Sequence, residues 1–221
     1  KLDENLAEGY KALGLLFAYS GDSNSSLKNN LKTIKLKPGF ADAIGNVGLD
    51  YRSKGDLSEA LEWYEKAYKM DPYNRRTVWN YAGTYRLIGE SEKALELFLE
   101  GVLKHNDSFE CLSALVFYHL SNSNTNKAKY YLDELLRLRP DDNRVMRVAF
   151  NYFLNIKDLD SAKSYALQIN QLYAGDKTNL AYLEQSLGNK NKSKKYMDDA
   201  LTQLEDWLNM DDSDQRAYYS L

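Results

Sequence analysis

A 34-residue period constrains this chain more than any other feature. Gly21, Gly55 and Gly89 stand 34 residues apart, as do Ala60, Ala94, Ala128 and Ala162, and the only three prolines, Pro38, Pro72 and Pro140, are separated by 34 and then 68. Such a period points to an array in which each unit packs on its neighbours, so a domain count taken from the length of 221 residues would mislead.

Inside one period the apolar residues follow helical spacing. Ile44, Val47, Gly48 and Tyr51 fall at i, i+3, i+4 and i+7 and make one face over 41–54. Gly55 and Asp56 break the pattern, and Leu57, Ala60, Leu61, Tyr64, Ala67 and Tyr68 then form a second stripe that stops before Pro72. Proline has no N–H with which to continue a helix, so each one marks a unit boundary. Gly48, Ala82 and the recurring alanines let helix axes approach closely, while Tyr64, Phe98 and Leu132 fill the wider space beside them. The expected unit is two helices and a tight turn.

The formal net charge of −3 gives no general reason to expect binding to nucleic acid or to a membrane surface. A single cysteine, Cys111, excludes an internal disulfide and a multi-cysteine metal site, and reads as a small buried apolar residue. No apolar run reaches the roughly 20 residues needed to span a bilayer. His105 and His119 are the only histidines and are not i, i+4 neighbours, which argues for packing over metal or catalysis. Gly45, Gly48 and Gly55 do not spell a phosphate-binding loop, and Asp211, Asp212 and Asp214 lack the glycine and terminal glutamate of a calcium loop. Lys190, Lys192, Lys194 and Lys195 lack interleaved aromatics apart from Tyr196 and read as a solvated loop and helix start. No cofactor, metal or enzymatic activity is expected.

The periodic residues resemble the tetratricopeptide repeat family. Residues 41–74 carry the whole pattern as Ile44, Val47, Gly48, Tyr51, Gly55, Ala60, Tyr64, Ala67 and Pro72. Residues 75–108 put Gly101 and Asn106 where alanine and proline are usual, and 109–142 put His119 and Ser123 in place of tyrosine and glycine. Residues 7–40 have a polar second helix, 143–173 are three residues short and 174–214 are seven long. The resemblance implies an all-α fold, a right-handed α-α superhelix (solenoid) of about six helix-turn-helix repeats forming a single domain over 1–221, with partial repeats at 1–6 and 215–221. The opening "KLDE" reads as the tail of a second helix and "QRAYYSL" as the start of a first helix. The chain is therefore expected to be a piece of a longer protein, which the resemblance suggests is bacterial, with fraying or self-association at its cut end, where Tyr218, Tyr219 and Leu221 make no polar cap.

In this family the first helices line a concave groove that binds peptides or proteins. In register, the groove candidates at the N-terminal end are Lys11, Leu15, Asn46, Leu49 and Arg52. Arg76, Trp79, Asn80 and Arg86 follow, then Arg147, Asn151, Asn179 and Arg216. Chaperone-binding members hold a C-terminal carboxylate with a clamp of basic residues and asparagines. Lys11, Asn46 and Arg76 match that clamp, but Leu15 and Asn80 stand where an asparagine and a basic residue belong. Arg147, Asn151, Asn179 and Arg216 fit four of five places in a later copy, with Ser220 at the fifth. The expected function is a cytoplasmic protein-interaction scaffold within a larger signalling or regulatory protein, its partner carrying an anionic group or C-terminal carboxylate. The alternative is a structural spacer or self-association module with no peptide ligand.

Overall fold

Apolar spacing of 3.6 residues, cut by glycine turns and prolines, produces paired helices throughout. The computed structural model describes residues 6–172 and 177–208. Among them are twelve α-helices and no strand: α1 (Ala7–Tyr19), α2 (Ser23–Leu36), α3 (Ala41–Lys54), α4 (Leu57–Met70), α5 (Arg75–Leu87), α6 (Ser91–Lys104), α7 (Phe109–Ser121), α8 (Thr125–Leu138), α9 (Asn143–Asn155), α10 (Leu159–Leu172), α11 (Thr178–Ser186) and α12 (Lys190–Leu208). The first helices begin at 7, 41, 75, 109 and 143 and the second helices at 23, 57, 91, 125 and 159, every 34 residues in both series. Thr178 opens α11, 35 residues after the start of α9 and inside the expected 174–214 unit. The helix tail expected at 1–4, the acidic stretch 209–215 and the helix start expected at 215–221 lie outside the described residues. The fold is an all-α helical repeat solenoid.

The turn inside each pair uses the left-handed backbone region. Gly21, Gly55 and Gly89 take φ of 79°, 87° and 85°. At Gly55 this conformation lets its own N–H reach the Arg52 carbonyl and the Asp56 N–H reach that of Tyr51, which satisfies carbonyls at the end of α3. Ser123 and Lys157 occupy the same place in later pairs, with φ of 56° and 63°. A side chain in this region meets the following carbonyl, which glycine avoids. Ser123→Gly and Lys157→Gly are each expected to stabilise the protein by about 0.5–1 kcal/mol, read as a higher urea midpoint. A lower midpoint would show that the two side chains make compensating contacts.

The chain divides into two compact units, one ending at Leu115 and the other beginning at Val116. In the first, Ala60, Tyr64 and Tyr81 form a buried cluster flanked by Leu49, Tyr51 and Tyr85. A Cβ at Gly48 would lie 2.9 Å from the Tyr64 ring, so the small residue expected there is required for α3 to lie against α4. The polar second helix α2 is also buried along one side, at Ser26, Asn30 and Thr33. Asn30 donates to Asp50 at 2.8 Å, and burial pushes the Asp50 carboxyl above the usual range. In the second unit, Met146, Phe150, Ala162, Ala166, Ile169, Leu180 and Leu183 form the apolar core.

Candidate binding face

In the first unit, contacts link α1 to α3 and α3 to α5, so side chains of successive first helices can meet. Lys11 on α1 donates to Asp42 on α3 at 2.9 Å and lies 4.8 Å from the Phe40 ring centroid. Asp42 also accepts from Asn74 at 2.9 Å, and the Lys11 ammonium holds its carboxyl below the usual range. Arg76 on α5 donates to Asn46 on α3 at 2.6 Å, and Arg52 on α3 donates to Asn80 on α5 at 3.1 Å. Asn46 is buried and turns its Nδ2 toward Asn30 at 3.5 Å. Six of the expected residues, Lys11, Asn46, Arg52, Arg76, Trp79 and Asn80, thus enter contacts within the fold. Trp79 is half-buried with its ring 5.6 Å from that of Phe98, Leu15 and Leu49 are half-buried, and Arg86 is exposed.

Asp42 and Asn74 belong to this ladder and were not among the expected residues. The signal for them was the period itself: Asp42 begins a first helix one repeat after Glu8, and Asn74 caps the next first helix by accepting from the Thr77 N–H at 3.0 Å.

In the second unit, Arg147 donates to Asn143 at 2.9 Å, one turn earlier on α9, and Asn151 donates to the Arg147 carbonyl at 2.8 Å. Asn151 also borders an open groove of about 340 Å³ with Phe117, Leu120, Ser121, Leu154 and Asn155. Asn179 lies in the first turn of α11, buried, and its Nδ2 has no hydrogen-bond partner among the described residues. Arg216 and Ser220 lie outside the described residues.

Other reactive groups are occupied by packing. His105 donates from Nε2 to the Tyr73 carbonyl at 2.7 Å. His119 is buried and stacks on Tyr131 with centroids 5.6 Å apart, and burial holds its pKa below the ordinary value. Burial likewise pushes the Cys111 thiol up. Among the described residues no three metal-ligating side chains gather, and no helix is long and apolar enough to cross a membrane.

Comparison with known proteins gives the same architecture. Family models described as tetratricopeptide repeat match residues 41–74 and 177–203. A tetratricopeptide repeat protein from Parabacteroides merdae superposes with a TM-score of 0.72 at 19% identity, over 89% of this chain and 79% of that one. PilF of Pseudomonas aeruginosa gives 0.70 at 20% identity, over 86% and 88% of the two chains. A chain of the APC/C hetero-tetramer Cut9-Hcn1 gives 0.69 at 18% identity, over 84% of this chain and 38% of that one. No curated protein sequence matches. At these identities the shared property is the fold.

Proposed function

We infer the function from one premise: this is a tetratricopeptide repeat protein, and such repeats mediate protein–protein interactions. The chain is a docking scaffold whose first helices receive a peptide or partner domain. The observation that carries this reading is the ladder across α1, α3 and α5. Side chains that the register assigns to one face meet across repeats there, and α5, which carries Arg76 and Asn80 of the ladder, also carries the half-buried Trp79 and the exposed Arg86. A setting within a larger cytoplasmic, bacterial signalling protein rests on the family resemblance alone.

Photo-crosslinking in a lysate of the source cells tests the assignment of the face. A crosslinking amino acid placed at Arg86 or Asn151, both exposed on first helices, is expected to trap a partner. The same group at Lys69 or Lys163, exposed on second helices, is expected to trap none. Adducts at the second-helix positions alone would overturn the reading. Adducts only to another copy of the chain would establish the self-association module instead.

A further inference from the structure

Each helix pair can be counted from its left-handed turn residue, Gly21, Gly55, Gly89, Ser123, Lys157 or Gly188. Nine residues after the turn, on the second helix, stand Asn30, Tyr64, Phe98, Leu132, Ala166 and Met197. The first five are at most 2% exposed, whereas Met197 is 38% exposed. Five residues before the turn, on the first helix, Asp50, Thr84, Tyr152 and Leu183 are at most 4% exposed and Tyr118 is half-buried. Leu16, at the same place on α1, is 62% exposed.

These two places meet between successive repeats. In the first unit Asn30 on α2 donates to Asp50 on α3 at 2.8 Å. In the second, Ala166 on α10 and Leu183 on α11 share one buried cluster. A second pair of places behaves alike: Tyr68, thirteen residues after its turn, has its ring 6.0 Å from that of Tyr81, eight residues before the next. The corresponding residues are Leu201 on α12, 52% exposed, and the half-buried Leu13 on α1. Met197 and Leu201 are thus one half of a joint that recurs inside the fold, and Leu13 and Leu16 are the other half. Both halves are apolar, so water is a poor substitute for the partner that each lacks.

Charge favours the same match. α12 opens with exposed Lys190, Lys192, Lys194 and Lys195 and has no acid in its first turn. Within the fold the start of a second helix lies beside the end of the next first helix, where Ser26 in the first turn of α2 acts by hydrogen bonding on the Asp50 carboxyl of α3. α1 has no basic residue in its last turn, and the exposed Asp22 follows it. The negative end of its helix dipole therefore suits the lysines. Two α12 starts brought together would instead set lysines against lysines.

We propose that a second copy of this chain covers these faces, with Met197 and Leu201 on α12 of one copy packing against Leu13 and Leu16 on α1 of the next. The contact is heterologous, so every copy offers both halves and copies add head to tail, as a closed ring or an open line. It uses residues of α1 and α12 and does not depend on the docking function inferred above.

Sedimentation equilibrium of the full chain over about a hundredfold range of concentration is expected to give an average mass that rises with concentration. Leu16→Glu and Met197→Glu, both at exposed positions, should each remain monomeric over the same range. Mixed, they should form a one-to-one dimer and nothing larger, because the first keeps an intact α12 face and the second an intact α1 face. Leu16→Asn and Met197→Asn repeat the exchange without added charge, and circular dichroism checks that all four variants are as helical as the parent. A parent chain that stays monomeric throughout would overturn the proposal. Association retained by either glutamate variant alone would overturn it too, by moving the contact to another face. So would a parent that associates while neither mixture yields a dimer.

Discussion

Truncating Tyr64 to alanine is expected to cost about 3–5 kcal/mol, while Tyr64→Phe costs nothing or stabilises by up to about 1 kcal/mol. The ring is 0% exposed, lies against the backbone of Gly48 and sits 6.4 Å from the ring of Tyr81. Alanine would leave a cavity between helices whose spacing is set by other contacts, so collapse would be incomplete. The hydroxyl has no well-formed hydrogen bond among the described residues and the nearby Arg52 guanidinium acts favourably on it, so its removal discards a desolvated donor and at most a weak interaction. Urea unfolding followed by circular dichroism measures both variants. Hydrogen exchange on α3 to α5 separates a local loss from a global one, because repeats need not unfold together. A phenylalanine variant as unstable as the alanine variant would show that Arg52 bonds the hydroxyl in solution.

The second large effect is at Gly101. A Cβ there would stand 2.6 Å from Cys111 Sγ and 3.1 Å from Val78 Cγ1, both buried. Gly101→Ala is therefore expected to destabilise by about 1–3 kcal/mol through overpacking, although alanine is the better helix former. Cys111→Ala removes the obstructing sulfur and should recover most of that loss in the double variant. A double variant no better than the additive sum of the two would mean that Val78, not Cys111, sets the limit.

This pair shows what the sequence reveals and what it leaves implicit. The unit of two helices was legible because glycine and proline act on the backbone, at Gly55 and Pro72 for instance, independently of what lies opposite. Gly101 reads in sequence only as a departure from the usual alanine. Its cause is a side chain ten residues later, on the next helix, and only the packing shows it. The left-handed turn at Lys157 was equally hidden, since a lysine tolerates that backbone at modest cost and carries no label for it. The binding face divides in the same way. Period and register select the residues, but not which long side chain crosses to which helix. Arg52 could have been solvated, and Lys11 is held by Asp42 because several flexible torsions allow it. Asn179 depends on where α11 begins, and a start at Thr178 puts it in the buried first turn.

The equal spacing of the first helices has a mechanical consequence. Helices that begin at 7, 41, 75, 109 and 143 make each repeat an equal length of string. If the chain were tethered by its ends and pulled, each repeat that let go would release a contour of about 115 Å before subtraction of its folded extent. The force trace would then be a comb of evenly spaced steps, and the protein a ruler graduated by its own sequence.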